Sequence, residues 1–295
     1  MTKSILFCYA HPDDEVGIIA LANRYMREEQ AITTLICTTN GDVGTIDPVY
    51  MEGYSSITER RLAEFACATQ AAGFTNVVTF DYRDSGMMGA PDNEHPNSSW
   101  QIPLEVMTQH VIDVMHEVHP QVVVTFNTFG AYGHPDHIKI NQATVAAFQQ
   151  VQGEPDAPQK LYYATMPTQI LRVGIALMRL RGKDPRKGGR NNDMDFVASL
   201  AASSPITAKI DTVKYIEPAW KAMECYASQM QLPPMVRRLR KVLGPLVQGK
   251  VALSRVYPEV QRGEKMERDI FANLSCPVTS QAVEASAQPE TQVGE

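Results

Sequence analysis

An apolar run, Ser4-Ile5-Leu6-Phe7-Cys8-Tyr9, leads directly into Ala10-His11-Pro12-Asp13-Asp14-Glu15. Six successive uncharged residues, rich in branched and aromatic side chains, predict a buried strand. Val16 to Met26 then predicts a helix. One histidine and two adjacent aspartates are therefore crowded at the carboxyl end of a strand. In open α/β sheets the ligand crevice lies outside those ends. A second cluster, Gly133-His134-Pro135-Asp136-His137, follows the apolar strand Gln121 to Phe126 by a short loop. Two such clusters at two strand ends can converge on one metal ion.

The rest of the first half alternates the same two signals. Ala31 to Thr38 reads as a strand, Thr39 to Ser56 as a loop, and Ile57 to Ala72 as a helix stopped by Gly73. Val77 to Phe80 is a short strand, Asp81 to Gln101 a long loop, and Leu104 to His119 a second amphipathic helix. Strands alternating with helices predict a parallel sheet with right-handed crossovers, a Rossmann-like three-layer α/β fold. The first strand is not followed by G-x-G-x-x-G, so a dinucleotide site lacks its phosphate turn. From Leu161 onward the pattern loosens. Ile170 to Leu180 and Tyr215 to Met230 read as helices, and Arg181 to Asn192 reads as a Gly- and Arg/Lys-rich loop. The expected organisation is one domain over 1–275. Its core is 1–160, with an irregular α-rich part, 161–275, covering the site. Residues 276–295, rich in Ser, Gln, Glu and Pro, read as a disordered tail.

Composition narrows the class. The 295 residues carry a net charge of −6, which disfavours nucleic acid and anionic membranes as partners. Neither a secretory signal nor an 18-residue apolar run is present, so a cytoplasmic location is expected. Cys8, Cys37, Cys67, Cys225 and Cys276 lack metal-type pair spacing, and reduced packing residues are the expected role for most of them.

The chemistry of the two clusters is that of a metal-dependent hydrolase. Zinc hydrolases use three protein ligands and leave a position for water. His11 and Asp14 can supply two, and either His134 or His137 the third; spacing alone leaves that choice open. Asp13 and Asp14 project in different directions, so one can ligate while the other serves as general base. The remaining histidine can stabilise an oxyanion or protonate the leaving nitrogen, with Asp136 orienting it.

At these residues the chain resembles the LmbE-like, N-acetylglucosaminyl-phosphatidylinositol deacetylase family. The resemblance rests on Ala10 to Glu15 and Tyr132 to His137, with support from Arg61-x-x-Glu64, Tyr82-Arg83-Asp84-Ser85-Gly86-Met87 and Ser228-Gln229. The Asp-Ser-Gly-Met stretch is most similar to the branch acting on mycothiol precursors and conjugates. The resemblance implies that His11, Asp14 and His137 bind zinc, Asp13 is the base, and His134 is the acid or electrostatic stabiliser oriented by Asp136. It further implies that Tyr132 reaches the substrate carbonyl, and that Arg61 and Asp84 hold the sugar or its polar substituent. The chain departs from the family pattern at Thr39-Asn40-Gly41-Asp42, Asn127-Thr128 and Tyr226, positions that bear on substrate choice.

The expected activity is zinc-dependent N-deacetylation of a small amino-sugar conjugate of the N-acetylglucosamine type. Iron(II) suits the same donors. The competing readings are an amidase acting at a bulkier acyl group, a non-catalytic carbohydrate-binding protein, and a nucleotide-binding protein. A homo-oligomer is compatible with the sequence. The basic residues Arg179, Arg181, Lys183, Arg186, Lys187 and Arg190, and a second group from Arg237 to Lys241, read as solvated surface. His95, His110, His116 and His119 read as surface or helix-face residues.

Overall fold

In the computed structural model, residues 2–189, 191–230, 235, 238–239, 244–245 and 249–274 are described. Seven strands form one sheet in the order β3-β2-β1-β4-β5-β7-β6. β1 (Ser4–Tyr9) lies in the middle of the five parallel strands with all of its residues buried, as its apolar sequence requires. It pairs in parallel with β2 (Ile32–Thr39) on one side and β4 (Val122–Thr125) on the other. β3 (Asn76–Tyr82) and β5 (Lys160–Ala164) extend the parallel part outward.

The chain builds outward from β1 to β3 and then returns to β4. The order of the strands therefore reverses between β1 and β4, which opens a crevice at their carboxyl ends. Helices α1 (Ile19–Glu29) and α2 (Ile57–Ala72) follow the first two strands. α3 (Leu104–Val118), the one-turn α4 (Gly130–Gly133) and α5 (Pro135–Gln150) flank β4. α3 packs on α5, whereas α1 and α2 pack on a later helix, α8 (Ile216–Cys225). Right-handed crossovers on either side of β1 put these two groups on opposite faces of the sheet.

Several expectations are corrected. The first helix does not begin at Val16; a 3-10 turn over Asp14–Gly17 precedes α1. The expected helix over Tyr215 to Met230 ends at Cys225, and the chain then turns into the site. The part beyond Leu161 contributes strands as well as the expected helices. It carries α6 (Thr168–Leu180) and α7 (Phe196–Ala201), and β6 (Ala208–Asp211) and β7 (Lys250–Tyr257) complete the sheet in antiparallel pairings with β7. These strands are short or interrupted by polar residues, and antiparallel edge pairing needs no long apolar run. Cys67 and Cys225 are not reduced packing residues: a disulfide joins them and ties α2 to α8. Their 158-residue separation hid this, because helix packing alone brings them together. Cys8 and Cys37 are free and buried, whereas Cys276, the 276–295 tail, Arg190 and most of the Arg237 to Lys241 group lie outside the described residues. No helix among the described residues is long and apolar enough to cross a membrane.

Candidate active site

Beyond Tyr9 the chain reverses tightly at the rim of the sheet. Asp13 sits at φ 108°, a left-handed conformation that strains an L residue by about 1–3 kcal/mol. Glu15 holds it there, accepting a hydrogen bond from the Asp13 amide through Oε2 at 3.0 Å. The His11 amide donates to Asp14 Oδ2 at 2.7 Å and folds that carboxylate back beneath the imidazole.

The second cluster is built by a helix start. His134 is the N-cap of α5 and its Nδ1 accepts from the Asp136 amide at 3.3 Å, so the proton of its neutral ring lies on Nε2. Pro135 occupies the first turn, where its missing N–H is not needed. Gly130, at φ +62°, lets the preceding loop pass against the helix; a Cβ there would lie 2.7 Å from that of His137.

These elements bring three donor atoms into a triangle. His11 Nδ1 lies 2.9 Å from His137 Nε2 and 3.3 Å from Asp14 Oδ2, and the last two atoms are 3.2 Å apart. Ligands about 2.0–2.1 Å from a tetrahedral zinc ion are separated by about 3.3 Å, so the triangle has the size of one tetrahedral face. The outer ring nitrogens are occupied: His11 Nε2 faces Asp136 Oδ2 at 3.1 Å, and His137 Nδ1 faces the Gly130 carbonyl at 3.2 Å. With each outer nitrogen donating, two lone pairs and a carboxylate point at one another. Such an arrangement is repulsive without a cation between them, and the donor set therefore fits a metal ion. Burial works against charge on both partners, yet the surrounding carboxylates raise His11 well above its ordinary pKa, and His137 and His11 hold Asp14 well below its own. His11, His134 and His137 also have ring nitrogens within 4.8 Å of one another, as do ligand atoms of His11, Asp84, His134 and Asp136.

The other predicted residues surround this triangle. Asp13 Oδ2 accepts from Arg61 Nη2 at 3.0 Å; burial raises its pKa, with Arg61 opposing. Arg61 is almost fully buried, and its Nη2 also donates to the Pro12 carbonyl, while Nε and Nη1 have no hydrogen-bond partner. Asp84 Oδ1 lies 3.5 Å from His11 Nε2 and 3.8 Å from His134 Nε2. Asp136 differs from expectation: its Oδ2 is 3.1 Å from His11 but 3.9 Å from His134 Nδ1, so it orients His11. The reason is local, because the Asp136 amide already caps the near side of His134. Burial and the neighbouring His11 and His137 hold His134 well below its ordinary pKa. The Tyr132 ring stands 4.9 Å from that of His137.

Further residues complete the frame and were not assigned site roles from the sequence. Tyr226 donates to Glu15 Oε1 at 2.6 Å, bracing the carboxylate that holds Asp13. Glu64 accepts from the Ser228 amide at 2.8 Å and its hydroxyl at 2.7 Å, locking the turn after α8 onto α2. The Ser85 amide donates to Asp136 Oδ2 at 2.9 Å, and Asn93 Nδ2 donates to the Ser85 carbonyl at 2.6 Å. Glu64, Ser85 and Ser228 fall within motifs noted in the sequence. Their pairing required the fold.

A family model for PIG-L, GlcNAc-PI de-N-acetylase, matches residues 6–148. The 1D-myo-inositol 2-acetamido-2-deoxy-alpha-D-glucopyranoside deacetylase of Acidothermus cellulolyticus is 31% identical over 293 residues, covering 93% of this chain and 96% of that protein. Among solved structures, the conserved protein TT1542 of Thermus thermophilus superposes with a TM-score of 0.54 at 16% identity, over 88% of this chain and 97% of that one. GalB, the 4-carboxy-2-hydroxymuconate hydratase of Pseudomonas putida, gives 0.53 at 17% identity, over 88% and 98%. The last two share the fold alone, and a hydratase among them shows that this fold hosts more than one reaction. The near-complete alignment with the Acidothermus deacetylase is what assigns the lineage: the chain belongs to the LmbE-like GlcNAc-PI de-N-acetylase (PIG-L) family.

Proposed function

We propose that this protein is a zinc-dependent N-deacetylase that removes the acetyl group from a small N-acetylglucosamine-type sugar conjugate. The observation that carries the reading is the donor triangle of His11, Asp14 and His137 with Asp13 beside it, in a chain whose curated relatives are named as deacetylases of an acetamido sugar. A zinc ion held by those three residues supplies Lewis-acid chemistry, polarising the amide carbonyl and lowering the pKa of water to about 7.

The chain's own residues do the rest. Asp13 Oδ2 takes the proton of the attacking water, and burial strengthens it as a base while Arg61 aims it. His134 Nε2–H donates to the oxygen that gains charge as the carbonyl becomes tetrahedral, and Tyr132 closes over the same side. The amine leaves with the proton that Asp13 gathered, passed on directly from that carboxyl. Arg61, a buried cation beside Asp13 with its Nη1 3.8 Å from Glu64 Oε2, supplies positive charge toward a hydroxyl or an anionic substituent of the sugar. Asp84 stands where it can accept from a sugar hydroxyl.

The Cys67–Cys225 bond stands against the cytoplasmic location expected from the sequence, since disulfides rarely persist in a reducing compartment; thiol counting on protein isolated under alkylation tests whether the bond is formed. The activity is tested by primary-amine release from a panel of N-acetylglucosaminides by zinc-loaded protein. Asp13→Ala is run beside it with metal content measured. Release by wild type and none by a metal-replete variant is expected; full activity in the variant removes Asp13 as the base.

A further inference from the structure

Against Tyr132 lies a cavity of about 420 Å³, roofed by α6 and bounded by α7 and the end of β5. Its volume falls within the roughly 300–1,000 Å³ of small-molecule pockets. Met166, Ile170, Leu171, Ile175, Met178 and Phe196 form most of its surface. Among the described residues, the wall contains no Asp, Glu, Lys, Arg or His. Four of its polar side chains, Asn127, Thr165, Ser199 and Ser203, are engaged with the backbone. Ser199 donates to the Asp195 carbonyl at 2.9 Å, Ser203 to the Ser199 carbonyl at 2.9 Å, and Thr165 to the Ser204 carbonyl at 3.5 Å. Asn127 bridges the Ala202 carbonyl and the Ala131 amide. Tyr132 lines this cavity and also faces His137, so the space opens beside the triangle of donor atoms.

We infer that this cavity is a subsite for an apolar chain or ring carried by the substrate, adjacent to the amide that is cut. The inference rests on the deacetylase reading for the identity of the amide. A polyol such as the inositol in the relatives' names would lose water here and find few hydrogen-bond partners, no charged one among the described lining residues and three hydroxyls whose protons are already committed. Hydrocarbon loses nothing polar, and the two methionines adapt to its shape. The apolar group is either the acyl part of the amide or the substituent on the sugar. Both present the same chemistry to the wall.

The two sources separate in kinetics. One substrate series lengthens the acyl group of a methyl glucosaminide from acetyl to octanoyl; the other lengthens the glycosidic alkyl of an N-acetylglucosaminide from methyl to octyl. Each methylene entering the cavity should raise kcat/KM about fourfold over the first few carbons of one series. The control is Gly174→Phe. Gly174 lies on the cavity wall within α6, and an added Cβ meets nothing within 4 Å, so the position accepts a side chain, and an aromatic ring there is the probe that occupies the cavity. The variant should keep wild-type turnover of methyl N-acetylglucosaminide and lose the chain-length gain; Gly174→Leu should lose part of it. A flat response in both series overturns the inference, as does a gain that survives Gly174→Phe. If no member of either series releases amine, the deacetylase reading falls, and dissociation constants of octyl against methyl N-acetylglucosaminide still decide the cavity. Tighter octyl binding that Gly174→Phe abolishes sustains the subsite, and equal binding overturns it.

Discussion

At Asp13 a strained backbone, a buried arginine and a buried glutamate converge on one carboxylate. Its left-handed φ is maintained because Glu15 bonds its amide and Arg61 bonds its side chain. Asp13→Asn keeps the shape and removes the carboxylate proposed as proton acceptor. It should lower kcat by about 10²–10⁴-fold with metal content unchanged, measured by amine release and metal analysis. Glu15 gives a prediction in pH. Burial, against the Tyr226 hydrogen bond, moves its carboxyl from 4.5 up to about 8. A folded value above the ordinary one means the uncharged group stabilises the fold fully below pH 4.5, and this contribution is lost as pH rises toward 8. Metal-free protein should therefore lose roughly 5–10 °C in Tm across that window, and Glu15→Gln should flatten the slope.

Individual elements set the geometry that these residues need. The α4–α5 corner depends on Gly130, where a methyl group would overlap His137 Cβ and the Ile138 amide. Gly130→Ala should displace His137 and weaken metal affinity about 10–100-fold, read by competition with a chelator dye. α2 and the turn after α8 act as a clasp, through Glu64 with Ser228 and through the disulfide between Cys67 and Cys225. The same turn carries Tyr226 to Glu15, so an element remote in sequence braces the first cluster.

Across the whole molecule, the reversal of strand order between β1 and β4 brings residues more than a hundred positions apart to one crevice. The disulfide closes a loop of comparable length, with partners 158 residues apart. Cys67→Ser should lower stability by about 2–5 kcal/mol in denaturant unfolding, and reduced wild type should match it.

The central strand, both His/Asp clusters and the α/β alternation were readable in the sequence, because each is a local pattern: an apolar run, a helix period, a proline at a first turn. Which ring nitrogen is free for metal was not, since it depends on Gly130 and Asp136 contacting the opposite nitrogens. Nor was the exchange by which Asp136 serves His11, the Cys67–Cys225 pairing, or the antiparallel completion of the sheet by β6 and β7. The chemistry was local because residue types and short spacings determine it. The partners, the strain at Asp13 and the apolar cavity beside Tyr132 arise only when distant segments pack, and tertiary structure decided them.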